Sequence, residues 1–379
     1  MAGLGANERA ILTQIRWRAA RRVAVAAVRT KMRLQFTGWL QYLLPAPPIL
    51  LLAALGGLAW LLGAAWLASA LLAAAALLLL VATFDIITSK LKLRLPERRP
   101  PSLDALAPFD LLRARRSCRS FQTRPMSDAD REALLAAVET QRAVPPIGAT
   151  TPRLEYIAAP LTVWPTVNAS EFLVAIVPKA YDRAAVIDVG RTLQRVVMDA
   201  TRMGLGTCWI GPGADHESVI AHLGDRFDPA ADHIICVCAV GYRSRYIPLA
   251  IRLFNLRMSS RRLPLSELFF ADSALERAID VSAPPYKRFA GSYEACRWAP
   301  SSYNGQTTRA AILTSPERHV SEVRFLTTTA SRYYAPVALG IWCANWELGC
   351  EALARPGAFE LIRTGDALPR HDVTWRPRA

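Results

Sequence analysis

Arg115-Arg116-Ser117-Cys118-Arg119 sets three guanidiniums and a hydroxyl within five residues, and the run occurs once in the chain. Each planar fork can donate two parallel hydrogen bonds, so the group suits a phosphate or another delocalised anion. The chain holds 41 Arg against 5 Lys, so the same residues also read as a solvated basic patch. Working outward, Ser127 with Asp130 three residues on predicts a helix N-terminus, the helix running through Glu132–Val138. Residues 141–151 are rich in Pro and Gly and read as loop. Glu171–Val177 and His233–Val240 read as buried strands, and Asp188–Met203 as a helix ending at Gly204. Cys236 and Cys238 alternate in the second strand and should share one buried face.

Two further segments carry possible chemistry. Gly204-Leu-Gly-Thr-Cys-Trp-Ile-Gly-Pro-Gly213 reads as a glycine-rich loop on a helix C-terminus, edged by Trp209. It is no dinucleotide fingerprint, because Trp209 stands where the third glycine belongs and the loop follows a helix. It reads equally as a tight helix-to-strand turn with a packed Trp. In Glu294-Ala-Cys-Arg-Trp-Ala-Pro-Ser-Ser-Tyr-Asn-Gly-Gln306, Pro300 should stop a short helix over Ser292–Trp298. Ser301, Ser302, Asn304 and Gln306 then offer amides and hydroxyls suited to a neutral heteroaromatic ring, or form a polar surface turn. Ala310–Thr314 reads as a strand and Leu339–Leu353 as a helix, in a less regular second half. Short strands mixed with helices, without regular βαβ alternation, indicate an α+β domain.

Taken together, Arg-Arg-Ser-x-Arg, Gly-Leu-Gly-Thr-Cys-Trp and Ala-Pro-Ser-Ser-x-Asn-x-Gln resemble the FMN-dependent nitroreductase superfamily, over about residues 108–379. Ordinary members carry the Ala-Pro-Ser-Ser segment soon after the arginine motif and complete the site with a second subunit. Here Val144-Pro-Pro-Ile-Gly148 stands at that point, and the segment is displaced into the second half. The order is similar to that of a fused subgroup, in which two degenerate nitroreductase-like halves mimic the dimer within one chain. The resemblance implies one FMN per chain. It makes Arg115, Arg116 and Ser117 ligands of the phosphate and ribityl, and Arg119 the cation beside flavin N1 and O2. Trp209, Ile210 and Gly211 match the loop whose backbone N–H reaches N5, and Arg261 and Arg262 match a second phosphate anchor. Pro300, Ser301, Ser302, Asn304 and Gln306 match the loop that the partner subunit lays on the isoalloxazine ring. The family often reads Gln-Pro-Trp-Arg where this chain has Gln306-Thr307-Thr308-Arg309.

Charge sorts the remainder. The formal net charge is +15, but residues 1–33 hold +7 of it and residues 85–99 a further +3. Excess charge confined to two short segments argues against nucleic acid. Between them, residues 34–84 carry no charge at all. That length is right for two spanning helices with a tight connection. Trp39, Tyr42, Trp60, Trp66 and Phe84 place interfaces that give spans of about Trp39–Leu62 and Trp66–Ile86 with a turn near Gly63, a turn at Gly56-Gly57 remaining open. Basic flanks at both outer ends put both on the cytoplasmic side. Segment 8–33 reads as an amphipathic helix on anionic lipid or as a disordered arm.

The expected organisation is a basic arm over 1–37, a transmembrane hairpin over 38–89 and a linker over 90–107. A first nitroreductase-like half follows over 108–268, and a second over 269–379. Seven scattered cysteines and five histidines show no metal-ligand spacing, and free thiols fit a reducing compartment. The resemblance implies a flavin oxidoreductase that takes hydride from NAD(P)H, and the uncharged run ahead of it is expected to anchor it in a membrane. It would reduce a small electron-poor acceptor, a nitroaromatic or a quinone, in a ping-pong cycle without a protein acid–base dyad. The alternative is a non-catalytic flavin-binding or scaffold membrane protein with the same fold.

Overall fold

The computed structural model describes residues 17–161, 163–211, 214–259, 261–363 and 365–378. The first sixteen residues of the basic arm, and Pro212 and Gly213 of the glycine-rich segment, lie outside the described residues. The arm's remainder forms helix α1 (Arg18–Phe36). After a single turn at Leu40–Leu43, helix α2 (Ala46–Leu61) opens with Pro47 and Pro48, at a helix start whose N–H groups need no intrahelical partner. Gly63 turns the chain at φ +78°, and α3 (Ala65–Asp85) runs back, extended by a π turn over Ile86–Lys90. Gly56 and Gly57 lie inside α2, so the turn is at Gly63. Gly56 and Ala59 are buried, as are Ala68, Ala75 and Ala82. A Cβ on Gly56 would stand 2.8 Å from Leu72 Cγ and 3.4 Å from Ala68 O, so the Leu72 side chain seats over Gly56 where the helices meet across small residues. The helical stretches Leu40–Leu61 and Ala65–Lys90, which contain α2 and α3, are long and apolar enough to cross a membrane, with mean hydropathy 1.8 and 2.5. Only 17% of each apolar window is buried, which separates them from the core helix of a soluble domain.

The segment that follows is docked on the domain. Arg94 is buried, donating to Phe121 O at 3.1 Å and pairing with Glu97 at 3.4 Å. Gln122 Nε2 donates to Arg98 O, and Leu103 N to Arg202 O.

The domain then runs α4 (Pro108–Ala114), α5 (Asp128–Arg142), β1 (Arg153–Ala158), β2 (Glu171–Pro178) and α6 (Arg183–Arg202). Next come β3 (Gly206–Ile210), α7 (His216–Leu223), β4 (Asp232–Gly241), α8 (Leu249–Ser259) and β5 (Phe269–Phe270). It closes with α9 (Ala290–Arg297), β6 (Thr308–Thr314), β7 (Val320–Thr327), α10 (Tyr334–Ala352), β8 (Gly357–Leu361) and β9 (Arg370–Pro377). Ser127 Oγ accepts the Asp130 N–H and starts α5 as its sequence predicts. The helix expected from Asp188 begins five residues earlier, because the Asp182 side chain caps the Ala184 N–H at 2.9 Å. Asp188 instead turns its carboxylate onto the N–H groups of Ile147 and Gly148, fastening the 141–151 loop.

Both sheets have one topology. The first is ordered β1-β2-β4-β3 and is antiparallel throughout. The second is ordered β5-β6-β7-β9-β8, with β5 added in parallel outside β6. Each therefore reads strand, strand, long helix, strand, strand, the last strand inserting inside the third. The second half is as regular as the first. α6 covers one face of the first sheet with Leu193, Val196, Val197 and Ala200 against Leu173, Ala175, Cys236, Cys238 and Val240. α10 covers the second with Leu339, Trp342, Cys343 and Trp346 against Ala310, Ile312, Val323, Phe325 and Trp375.

α6 and α10 cross backbone to backbone. A Cβ on Gly190 would meet Val337 O at 2.2 Å, and one on Gly340 would meet Ile187 O at 1.9 Å. In each case the carbonyl belongs to the residue three before the facing glycine, so the crossing is symmetric between the halves. Gln194 Nε2 donates to Asn345 Oδ1 at 3.0 Å, and Glu347 pairs with Arg191 and Arg195. These links make one body of the two sheets.

Candidate functional site

The 115–121 segment lies along the outer edge of β3. Ser117 bridges Thr207 in parallel, and Cys118 N donates to Thr207 O at 2.7 Å. The Gly204–Ile210 stretch, read as a loop or a turn, is a tight turn at Gly204 (φ +80°) followed by this strand. Gly206 has to be a glycine, since a Cβ there would stand 2.7 Å from Arg243 Cγ and from Cys118. That approach brings Arg243, just past the end of β4, to the arginine run.

Arg115 is buried at 4% exposure, and its Nη1 has no hydrogen-bond partner. Burial, then the neighbouring Arg262, Arg116 and Arg243, press its guanidinium down to about 9. Arg262 is pressed down to about 10 by burial, Arg116 and Arg297, and its Nε is also buried without a partner. Arg116 is lowered by the same causes, burial first and then Arg243. Among the described residues none of these three is in an ion pair, and the charges acting most strongly on them are other arginines. Arg116 and Arg262 both lie over the Trp298 ring, at 4.6 and 5.7 Å from its centroid. Arg262 Nη1 donates to Ala299 O at 2.7 Å. Three arginines of the first half thus converge on one cationic point, and the second half supplies the Trp298 ring that two of the forks lie over.

Arg119 points elsewhere. Its Nη1 donates to Asn255 Oδ1 at 2.6 Å, and its guanidinium lies 5.0 Å from the Phe254 ring centroid, both on α8. Its Nε is buried without a partner. Cys208 lies near both Arg119 and Arg115, since burial raises its thiol and each of them acts to lower it. Cys118 is pushed up to about 12 by burial, so it is no thiolate at neutral pH.

The Pro300–Gln306 loop folds onto the Arg261–Leu263 segment. Asn304 Nδ2 and Gln306 Nε2 both donate to Arg261 O, at 2.8 and 3.0 Å, and Leu263 N donates to Gln306 Oε1. Ser301 Oγ accepts the Gln306 N–H at 3.0 Å. Arg261 contributes its carbonyl here, and its side chain is exposed. Tyr303, Asn304 and Gln306 hold φ of +51°, +54° and +45°, a left-handed run that costs free energy in non-glycine residues. Ser302 sits at the start of this turn. Trp209 and Ile210 pair with Cys238 and Val237 in the sheet, and Trp209 Nε1 is buried without a partner. Gly211 leads out of β3 against Tyr334, the first residue of α10.

The structure therefore brings Arg115, Arg116 and Arg262 together, with Ser117 on the same segment. It sets Arg119 on the α8 side and the amides of Asn304 and Gln306 on backbone. Arg243, Trp298, Phe254 and Asn255 were not singled out from sequence. Trp298 lay inside the quoted Glu294–Gln306 segment and Arg243 just after a predicted strand, so an aromatic or arginine beside each motif was the available signal.

A family model described as "Putative TM nitroreductase" matches residues 109–350, more than half of the chain. No curated protein matches. Among solved structures, a "putative nitroreductase" of Thermotoga maritima is 17% identical, covering 76% of this chain and 97% of its own, with a TM-score of 0.42. A nitroreductase family protein of Clostridium difficile is 20% identical over 42% of this chain and 94% of its own, with a TM-score of 0.32. A nitroreductase of Bacteroides fragilis with bound FMN is 17% identical over 37% of this chain and 89% of its own, with a TM-score of 0.31. On the extent of the family match, the chain belongs to this nitroreductase family.

Proposed function

We propose that the protein is a membrane-anchored, FMN-dependent NAD(P)H oxidoreductase whose two nitroreductase-like halves, fused in one chain, hold a single flavin between them. The observation that carries the reading is the cluster of Arg115, Arg116 and Arg262 from the first half, set against Trp298 of the second and in no ion pair among the described residues. A buried guanidinium with an unpaired Nη1 calls for an anion, and the terminal phosphate of FMN supplies two charges and several acceptors. The donor set fits the group. Arg115, Arg116, Ser117 and Arg262 would take the phosphate and ribityl end. Arg119 and the Trp209–Gly211 segment would take the ring, with Pro300–Gln306 as its cover. When bound, FMN supplies the hydride chemistry between a nicotinamide and an electron-poor acceptor. The chain's own part is to bind, to orient, to hold positive charge near the ring and to exclude water.

α2 and α3 would form the two-span anchor, with the basic residues of α1 and of the Lys90–Arg99 segment on the cytoplasmic side. That placement favours acceptors carried in the bilayer, quinones above all. The test is purification in detergent, addition of FMN and anaerobic titration with NADH and with NADPH, then exposure to quinones and nitroaromatics. Yellow protein, bleached by a nicotinamide and recoloured by an acceptor, is the expected result; protein that stays colourless in excess FMN would refute the reading. A second reading, flavin binding without turnover, is favoured by the commitment of the Asn304 and Gln306 amides to Arg261 O. It predicts bound flavin that neither nicotinamide reduces.

A further inference from the structure

A cavity of about 630 Å³ opens where the C-terminal end of α3 meets the domain. Leu80, Val81 and Phe84 form its apolar side, and Arg245, Tyr246 and Arg252 its polar side. The Phe84 and Tyr246 rings stand 6.3 Å apart, so helix and domain touch through aromatics at its edge. Arg245 lies 5.3 Å from the Tyr246 ring centroid, and Arg94 lies 5.2 Å from the same ring. Arg245 is exposed; its guanidinium donates one long hydrogen bond, 3.5 Å to Tyr246 Oη, and its backbone N–H donates to Glu97 Oε1 at 2.7 Å. Arg252 is likewise exposed and donates at 3.5 Å to Ile247 O. Neither is in an ion pair among the described residues.

Asp85 is the carboxylate at this cavity, and it is already used. Its Oδ2 accepts the Leu249 N–H at 2.7 Å, capping α8 at its first residue. Arg252 lies in its field, which leaves the pair of arginines with a net positive charge. Beyond the cap, α8 presents Leu253 and Leu256 to the outside, 57% and 61% exposed. Apolar side chains are thus exposed on both helices that meet at the cavity, α3 and α8, and the two guanidiniums line the cavity itself. An acyl chain beside a negatively charged headgroup has that pattern of polarity.

We propose that this cavity is a binding site for an anionic phospholipid, its acyl chain along Leu80, Val81 and Phe84 and its phosphate between Arg245 and Arg252. The inference rests on the reading of α2 and α3 as a membrane hairpin. Its test uses the full chain reconstituted in nanodiscs of phosphatidylcholine with about one fifth phosphatidylglycerol, followed by mass spectrometry of the lipids retained on extraction into detergent. Phosphatidylglycerol should be enriched over its bulk share. Arg245→Gln and Arg252→Gln should each cut that enrichment about fivefold, the worth of one basic residue at a lipid surface. The double variant Arg245→Lys/Arg252→Lys should keep most of it and shows that the fold tolerates change at both positions.

Excess inorganic phosphate should leave the lipid in place; displacement would overturn the lipid assignment in favour of a simple anion site. Retention of both lipids in their bulk ratio, or enrichment unchanged by both Gln substitutions, would also overturn it. Alkaline extraction of proteoliposomes separates the two readings. Protein released into solution removes the hairpin and the lipid site together, whereas protein retained without preference for phosphatidylglycerol removes the lipid site alone.

Discussion

Gly340→Ala should loosen the joint between the halves, and its cost can be worked from the crossing. The new methyl would stand 1.9 Å from Ile187 O and 2.9 Å from the Arg191 and Ile187 backbones. An ordinary contact needs about 3.4 Å, so α6 and α10 must separate by about 1.5 Å or shear along one another. The atoms met are backbone on a buried helix, which cannot rotate aside. Overpacking in a core costs about 1–3 kcal/mol, and a clash with backbone belongs at the upper end. Alanine returns about 1 kcal/mol through its helix propensity. The net expectation is a loss of about 2 kcal/mol, or roughly 4–8 °C in midpoint for a domain of this size. Gly190→Ala should cost about the same, since it meets Val337 O at 2.2 Å. Once one methyl has parted the helices the second finds room, so the double variant should fall short of the sum by about 1 kcal/mol or more. Thermal and urea unfolding of the four proteins in one detergent reads this directly. Unchanged midpoints, or strict additivity, would refute the close symmetric crossing.

Arg115→Met removes a buried guanidinium with an unpaired Nη1. The ligand-free protein should become more stable by about 1–3 kcal/mol, while FMN affinity drops about tenfold or more, both read from melts with and without FMN. Trp298→Ala takes away the plate under Arg116 and Arg262 and should weaken FMN about fivefold in a fluorescence titration, for two contacts of about 0.5 kcal/mol each. FMN affinity should hold level up to pH about 9 and fall as Arg115 and then Arg262, at about 9 and about 10, lose their charge. On the ligand-free fold the sign is reversed. Between those values and the ordinary 12.5 the unfolded chain binds more protons, so these two groups add stability as pH rises through that window. Affinity that stays flat to pH about 10.5 would show that both guanidiniums keep their charge through that range.

The hairpin was legible because 51 uncharged residues leave few alternatives, and β2 and β4 because each is a continuous apolar run. Ser127 and Gly204 marked their helix ends through cap chemistry. β7 and β9 were not legible. Glu322 and Arg324 pair along β7 and Arg376 on β9 pairs with Glu322 across the sheet, so each strand reads as mixed polarity in one dimension. The 90–107 segment reads as a linker from its Pro and Arg content, whereas Arg94 and Glu97 are buried against the domain. At the site, the resemblance pointed to Arg115, Arg116 and Arg262. Arg243 joins them through the close approach at Gly206, and Asn255 reaches Arg119 across 136 positions. Neither is a matter of spacing along the chain.

The docked segment after α3 has a mechanical consequence. Lys90 ends the π turn, and Arg94 is already fixed to Phe121 O. Four residue steps at full extension cover about 14 Å, and there is no slack beyond that. A bilayer holding α3 would therefore set the height and tilt of the whole domain, as a keel sets a mast. The domain could not roll freely against the bilayer, and one fixed side of it would always face the lipid. Whatever reaches the arginine cluster would have to approach along the narrow range of directions that this mounting leaves open.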